Sequence, residues 1–538
     1  MTIYYLDNNN GNDSNDGLTP QTPWKELTKI ATITPGAGDQ FLLEASSEWN
    51  YPISTRVVIP SGAAGTENNP VIIDRYYRNA ASIGRKPTIQ WNYKIKTTDW
   101  TYSAPNNAWV YVAPFSVGSP CLVRINDTWL ASSLGSASLP LAGVNGRYTN
   151  SGTSFYLYAP STTNPTSYYG EVLLSLTDTG FFTVSSGRGW VKFRNLKFKN
   201  TGAGILVFSG TASPVGVTIE HCEADTVSRV FASASDTVGQ LYLTILNNYI
   251  TNYGSCAIQP INTGGAGGIR CEIAYNRIIN GGYGQSQGAI YLQARSPGQI
   301  VRVHNNYIYG AVRGTLGKPY DGCAIYTETG SDNVLVYQNI IENCYLAFID
   351  NSGRTTRWFS NLLLNCHSAM WTNDDLNIGL RQHYFYNNTC LVGNTNLQPA
   401  AGLPLDNYGW IDVIDVGSAG NLYIVNNVFY ALTSYLAPDA AIRLPNIGYT
   451  GTIEDNAIYN FSAEAKLNYT PFTPVVISGT ITADPLISRT SGEIIDSSSP
   501  IKWAGTQLNV MKDVLGHQFH FPPSMGAVEY SPPRVART

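Results

Sequence analysis

The chain has 538 residues, 13% charged and 12% aromatic, with 35 Tyr and a formal net charge of −4. Phosphate binding needs a basic excess, so this balance argues against a nucleic-acid partner and suits a neutral, hydroxyl-rich one. No apolar run approaches membrane-spanning length and no basic region precedes an apolar core at the amino terminus, so neither membrane insertion nor a standard signal peptide is expected.

Residues 1–100 predict a capped beginning. An Asx-rich run over 10–17 leads to Thr22, Pro23 and Trp24. Thr22 suits a helix N-cap, Pro23 the first helical position, and Leu27 with Ile30 a short apolar face, so a small helix is expected here. Laid over the open end of a sheet stack, it would stop edge pairing. The Asx run offers oxygen ligands but lacks a full calcium-loop pattern, which leaves calcium open beside a plain Asx-rich turn; no other cofactor and no metal site is expected. Short apolar strands follow at 41–43, 57–59, 71–73 and 87–89. Residues 101–175 carry strands at 109–112, 122–125 and 155–158 and read as a β-rich insertion.

Residues 176–483 hold a repeat. Its anchors are Asn195, His221, Asn248, Asn276, Asn306, Asn339, Asn361, Asn388, Asn427 and Asn456, and subtracting neighbours gives intervals from 22 to 39 residues. The repeat is plainest over 336–375, where Asn339 and Asn343 with Cys344 are echoed by Asn361 and Asn365 with Cys366. Apolar runs of Val, Ile, Tyr and Phe, broken by Asn and Gly, favour strands over helices. Variable excess length on a fixed unit is the mark of a solenoid with loops on one side. Asn at each turn tolerates the left-handed backbone and can bond to the Asn of the next coil. A flat sandwich would instead show hairpin turns. Eight Cys without a CxxC pair argue against zinc, and Cys344 and Cys366 in equivalent places predict buried stacked thiols. Residues 484–538 close the array.

These features resemble the right-handed parallel β-helix, or pectate-lyase-like, superfamily over roughly 1–100 and 170–530. The resemblance implies an all-β, right-handed parallel β-helix solenoid with an N-terminal helical cap, a β-rich insertion and a C-terminal capping segment. Within that superfamily the chain looks most like a bacteriophage tailspike or polysaccharide depolymerase. That likeness implies a homotrimer in the virion tail, made in the host cytoplasm and acting on bacterial surface polysaccharide, with other tail proteins as further partners. A noncatalytic receptor-binding β-helix and a bacterial carbohydrate-active enzyme are the alternatives.

The third strand of each coil supplies the site. With Ile205, Ile258, Ile290, Ile325, Phe348, Met370 and Ile442 inward, side-chain alternation turns Gln259, Tyr291, Tyr326, Ile349 and Trp371 outward, and two positions on Gln293, Glu328, Asn351 and Asn373. Tyr291, Tyr326 and Trp371 are expected as an exposed ladder for sugar rings, or as cover for an insertion or a neighbouring subunit. Glu328, Asp350, Asp374 and Asp375 are the candidate catalytic carboxyl groups, since hydrolysis calls for a pair roughly 5 to 9.5 Å apart. Gln293, Arg295, Asn351, Arg354 and Asn373 join the aromatics as candidate substrate contacts. For an eliminating lyase, Arg295, Arg354 and Arg357 would neutralise a uronate, with His367 or Tyr326 as base. Asp412 and Asp415 form a second acidic pair, and His221, His304 and His383 read as members of the turn stack.

Overall fold

A computed structural model of the chain describes residues 1–530 apart from 53, 54, 61, 105–107, 113–120, 126, 127, 130, 133–146, 152, 153, 158, 160, 161, 177–179, 186–188, 209–214, 235–240, 263–268, 283–287, 295–298, 312–321, 329, 330, 352, 353, 374–380, 393–410, 415–419, 432–440, 445–448, 462–464, 468–474, 489, 509, 511 and 521. It comprises two compact units, residues 1–270 with 278–290 and 312–322, and residues 271–277 with 291–311 and 323–538.

In the first unit each coil contributes one strand to each of three parallel sheets. The first sheet stacks Ile3–Leu6, Gln40–Glu44, Val71–Tyr76, Trp190–Arg194, Val215–Glu220 and Leu241–Leu246. The second stacks Glu48–Tyr51, Thr88–Trp91, Lys197–Thr201, Glu223–Asp225 and Tyr249–Tyr253. The third stacks Val57–Val58, Gly180–Ser185, Ala203–Phe208, Arg229–Ala234 and Ile258–Gln259. In Leu241–Leu246 the buried Leu241, Leu243 and Ile245 alternate with half-exposed Tyr242, Thr244 and Leu246, the period-two pattern of a wall with one dry face.

The insertion interrupts one coil between Thr88–Trp91 and Gly180–Ser185. A four-stranded antiparallel sheet and a five-stranded mixed sheet fill it, beginning at Tyr93–Lys94, which pairs with Val172–Leu176. They enclose their own core of Ile95, Trp100, Tyr111, Val123, Leu157 and Leu174.

The amino-terminal cap differs from the expected helix. Trp24 is extended and bridges Leu6, its ring stacks on Tyr4 at 5.0 Å, and the helical turn is a 3-10 segment, Leu27–Thr32. Thr22 donates its hydroxyl to Asp16 instead of capping a helix, and the Asp13 carboxylate accepts from the Lys25 and Glu26 amides. The Trp24 ring seats directly over Gly17, whose φ is +72°; a Cβ there would lie 2.6 Å from the indole. Asp7 binds the Asn9 and Asn10 amides and the Arg78 guanidinium.

The second unit repeats the three-sheet coil. Its first sheet includes Ile300–His304, Val334–Tyr337, Thr355–Phe359, Arg381–Tyr386, Gly420–Val425 and Tyr449–Glu454. The second includes Tyr307–Ala311, Ile340–Glu342, Leu362–Leu364, Thr389–Val392 and Val428–Ala431. The third includes Cys323–Thr327, Leu346–Asn351, Ser368–Asn373, Ile411–Ile414 and Ile442–Leu444.

An asparagine ladder runs through the turn between the first and second sheets. The Asn306 side-chain oxygen accepts from Asn276, that of Asn339 from Asn306, that of Asn361 from Asn339, and the pattern continues through Asn388, Asn427 and Asn456. The left-handed backbone is not at these residues but one position earlier, at Tyr275, Asn305, Gln338, Ser360, Asn387, Asn426 and Asp455. The two demands expected of one Asn are thus split between neighbours. At the turn into the third sheet the second Asn of the signature, Asn343 and Asn365, does adopt positive φ. In the first unit Asn195 and His221 take the left-handed place, so the ladder position there falls on Leu196 and Cys222.

Cys344 and Cys366 are free, buried and point their thiols at the Glu342 and Leu364 carbonyls. The closing segment lays Ile487, Ile494, Ile501, Val514, Met525 and Val528 against Leu362, Leu364, Leu391 and Tyr430 on the outer face of the second sheet.

Candidate functional site

The third sheet of the second unit brings together side chains distant in sequence because its strands pair in strict parallel register. Tyr326 pairs with Ile349, Ile349 with Trp371 and Trp371 with Asp412; one residue on, Thr327 pairs with Asp350 and Asp350 with Thr372. Tyr291 joins the outward column by stacking on Tyr326, ring centroids 5.1 Å apart and planes 15° from parallel.

Glu328 is the centre of the resulting cluster. Its carboxylate accepts from the Tyr291 hydroxyl at 3.1 Å and from the Asn351 amide at 2.8 Å, and the same amide donates to the Tyr326 hydroxyl at 3.1 Å. Its backbone is fixed as well: its N–H donates to the Leu292 carbonyl at 2.7 Å, and its own carbonyl accepts from the Ser331 hydroxyl at 2.6 Å. Glu328 is half-buried, so a carboxylate with a set orientation still reaches solvent. Burial, followed by the negative charge of Glu328, pushes the Tyr326 phenol far above its ordinary value. That phenol stays protonated and accepts from the Asn351 amide.

The outward aromatics are not an open ladder. Tyr291, Tyr326 and Trp371 retain 4%, 5% and 8% of their surface, and Ile349 none. Alternation fixes which way a side chain leaves the strand but says nothing of what later covers it. Stacking has a second consequence: the facing planes of Tyr291 and Tyr326 are spent on each other, whereas a sugar's C–H face needs a free ring plane. The pair therefore offers hydroxyls, directed at Glu328, instead of a platform.

Asp350 is not a groove carboxylate. It is fully buried and accepts from the Thr327 hydroxyl at 2.9 Å, from His383 Nδ1 at 2.8 Å and from the Thr356 hydroxyl. Desolvation opposes its charge, but the adjacent His383 and the hydrogen bonds outweigh it and hold the carboxyl below the usual range. The parity of the strand explains this, since Asp350 lies two residues from inward Phe348. His383 likewise leaves the turn stack expected for it and points into the interior, two residues from buried Phe385. His304 does stack, on Tyr337 at 4.7 Å. His221 sits at a left-handed turn. The His367 ring stacks on Tyr345 at 5.2 Å, and burial lowers its pKa.

Residues 180–366 match the family described as right handed beta helix region. The three stacked parallel sheets of each unit are the fold of a parallel β-helix. Over 77 residues it is 36% identical to a lacto-N-biosidase of Bifidobacterium longum, a stretch that is 14% of this chain and only 5% of that enzyme. Among solved structures, the complex of XylC with xylose shares 11% identity at a TM-score of 0.45, covering 98% of both chains. A lacto-N-biosidase from Eubacterium ramulus shares 12% at 0.43, covering 87% of this chain and 68% of that one. The tailspike protein gp49 of Pseudomonas phage LKA1 shares 12% at 0.34, covering 86% and 74%.

The other expected site residues of this β-helix fall in several places. Gln293 is half-buried, Asn351 is buried within the cluster, and Arg354 is exposed with its amide on the Ser331 carbonyl. Arg357 lies on the first sheet, its guanidinium 5.0 Å from the Tyr384 ring. Asn373 stands in backbone register with Asn351 and Asp412 with Trp371. Arg295, Asp374, Asp375 and Asp415 lie outside the described residues. Among the described residues no group of three or more His, Cys, Asp or Glu is arranged to hold a metal, and no helix is long and apolar enough to cross a membrane. Sequence reading missed Thr327 and Thr356 and misplaced His383, although strand parity with Ile325, Trp358 and Phe385 marks all three as inward.

Proposed function

We propose that this β-helix binds and cleaves a glycan on the outer face of the third sheet, with Glu328 as a catalytic carboxyl group. The observation that carries the proposal is the half-buried Glu328 carboxylate fixed from two sides by Tyr291 and Asn351. A carboxyl group of set direction among phenol and amide donors suits a neutral polyhydroxylated substrate, and the low charge of the chain agrees. Asp374 or Asp375 is the proposed partner, because Asn373 stands two coils from Glu328.

A tailspike-type homotrimer acting on bacterial surface polysaccharide is the biological setting proposed. A bacterial carbohydrate-active enzyme is the second reading, favoured by the 36% identical stretch shared with a lacto-N-biosidase. Incubation with purified surface polysaccharides, and separately with host-type oligosaccharides, tests both: new reducing ends report hydrolysis and absorbance of unsaturated uronates reports elimination. Light scattering tests the trimer. Binding of either glycan class without new ends or absorbance would leave a noncatalytic receptor-binding protein.

A further inference from the structure

Behind Glu328 the interior of the β-helix changes character. The inward column of the third sheet reads Thr327, Asp350 and Thr372 in register, preceded by buried Leu292 and followed, in backbone register with Thr372, by Val413. On the facing first sheet Thr356 and His383 are in register, between Val334 and Leu422. All five polar residues are at least nine-tenths buried. In these two columns the five polar residues lie on the coils whose outer face carries Tyr326, Glu328 and Asn351, and on their neighbour.

We infer that Asp350 is a positioning residue for Glu328, acting from inside the coil; the inference rests on the proposed role of Glu328. Thr327 lies between Tyr326 and Glu328, and Asp350 lies between Ile349 and Asn351. One oxygen of Asp350 takes the Thr327 hydroxyl, tying these two strands together behind the cluster. The other takes His383 and the Thr356 hydroxyl, anchoring the pair to the facing sheet. A buried carboxylate is costly to desolvate, and an apolar residue here would pack the interior as Leu292 does in the neighbouring coil. What the carboxylate adds is directional: it fixes the separation and twist of the two strands that must present Glu328 and Asn351 at hydrogen-bond distance. Small displacements of such groups weigh heavily on rate.

The test uses the full chain with Thr327→Val, which removes one hydroxyl while keeping shape, with Thr327→Ser as the conservative rescue, and with Asp350→Asn. Glycan turnover and hydrogen–deuterium exchange are measured on each. In Thr327→Val, exchange over 323–328 and 346–351 is expected to rise by about tenfold while 420–425 is unchanged. Turnover number should fall about tenfold with KM held within about twofold, and Thr327→Ser should restore both. Unchanged exchange and turnover in Thr327→Val, or exchange rising equally across the unit, would overturn the inference. If the parent chain cleaves no glycan, the proposed function fails, and the exchange pattern alone still decides whether Asp350 braces these strands. If Asp350→Asn does not fold, the two Thr327 variants carry the test.

Discussion

The phenol of Tyr291 and the carboxylate of Glu328, 37 residues apart in the chain, meet at 3.1 Å on the outer face of the third sheet. Two coils of the β-helix make that meeting, and a third delivers Asn351 to the other carboxylate oxygen.

Replacing Tyr291 with Phe keeps the ring stack on Tyr326 and removes a single donor. A hydrogen bond to a charged group is worth about 1.5–3 kcal/mol, less where solvent can substitute, so glycan cleavage should fall about tenfold with the thermal midpoint nearly unmoved. Steady-state kinetics beside a melting curve check it. A large drop in melting temperature would mean that the hydroxyl serves folding instead.

The asparagine ladder predicts a stability effect far from the site. Asn361 accepts from the backbone and side-chain nitrogens of Asn339 and donates to the Val336 carbonyl, each at 3.0 Å, all buried. In Asn361→Ala the Asn339 amide loses its acceptor inside the protein, and each orphaned group costs about 1–3 kcal/mol. A urea titration should show a loss of about 3 kcal/mol with an unchanged slope, and a loss under about 1 kcal/mol would show that water repairs the gap.

Acid stability should depend on Asp350. Its carboxyl titrates below 3.8 in the folded chain, so near that value the unfolded chain binds more protons and stability rises with pH. The contribution is complete above 3.8 and is lost as pH falls through the lowered folded value. Asp350→Asn should flatten the pH dependence of stability in that acid window while leaving the slope near neutrality alone. Denaturant titrations at several acid pH values read it directly; equal slopes in parent and variant would contradict the buried, charged assignment.

Ending the chain at residue 483 should uncover the outer face of the second sheet, where Leu362, Leu364, Leu391 and Tyr430 pack under the closing segment. An exposed apolar face of this kind recruits hydrophobic dyes and other copies of itself. The truncated chain should bind such a dye strongly and elute as aggregates, whereas a monomer with unaltered dye binding would show that the segment is dispensable.

Much of this was legible from residue order. The Asn repeat gave the coil, because a ladder needs one amide per turn at coil-length spacing, and strand parity gave Tyr291, Tyr326 and Glu328 a common outward face. Parity with Phe348 and Phe385 turns Asp350 and His383 inward; reading Asp350 as a groove carboxyl group and His383 as a turn-stack member ran against it, and charge can be buried where partners meet it from adjacent coils. Two features could not be read from periodicity. The burial of the outward aromatics is not set by alternation, and the placing of the left-handed turn one residue before the ladder is a matter of local backbone geometry that Tyr275, Gln338 and Ser360 do not advertise.

The decisive measurement is release of reducing ends from a glycan that the parent chain cleaves, repeated with Glu328→Gln. A catalytic carboxyl group predicts a fall of about 100-fold or more in turnover with glycan binding and melting temperature retained. Cleavage by Glu328→Gln at the parent's rate would contradict the role given to Glu328 and, with it, the location of the site.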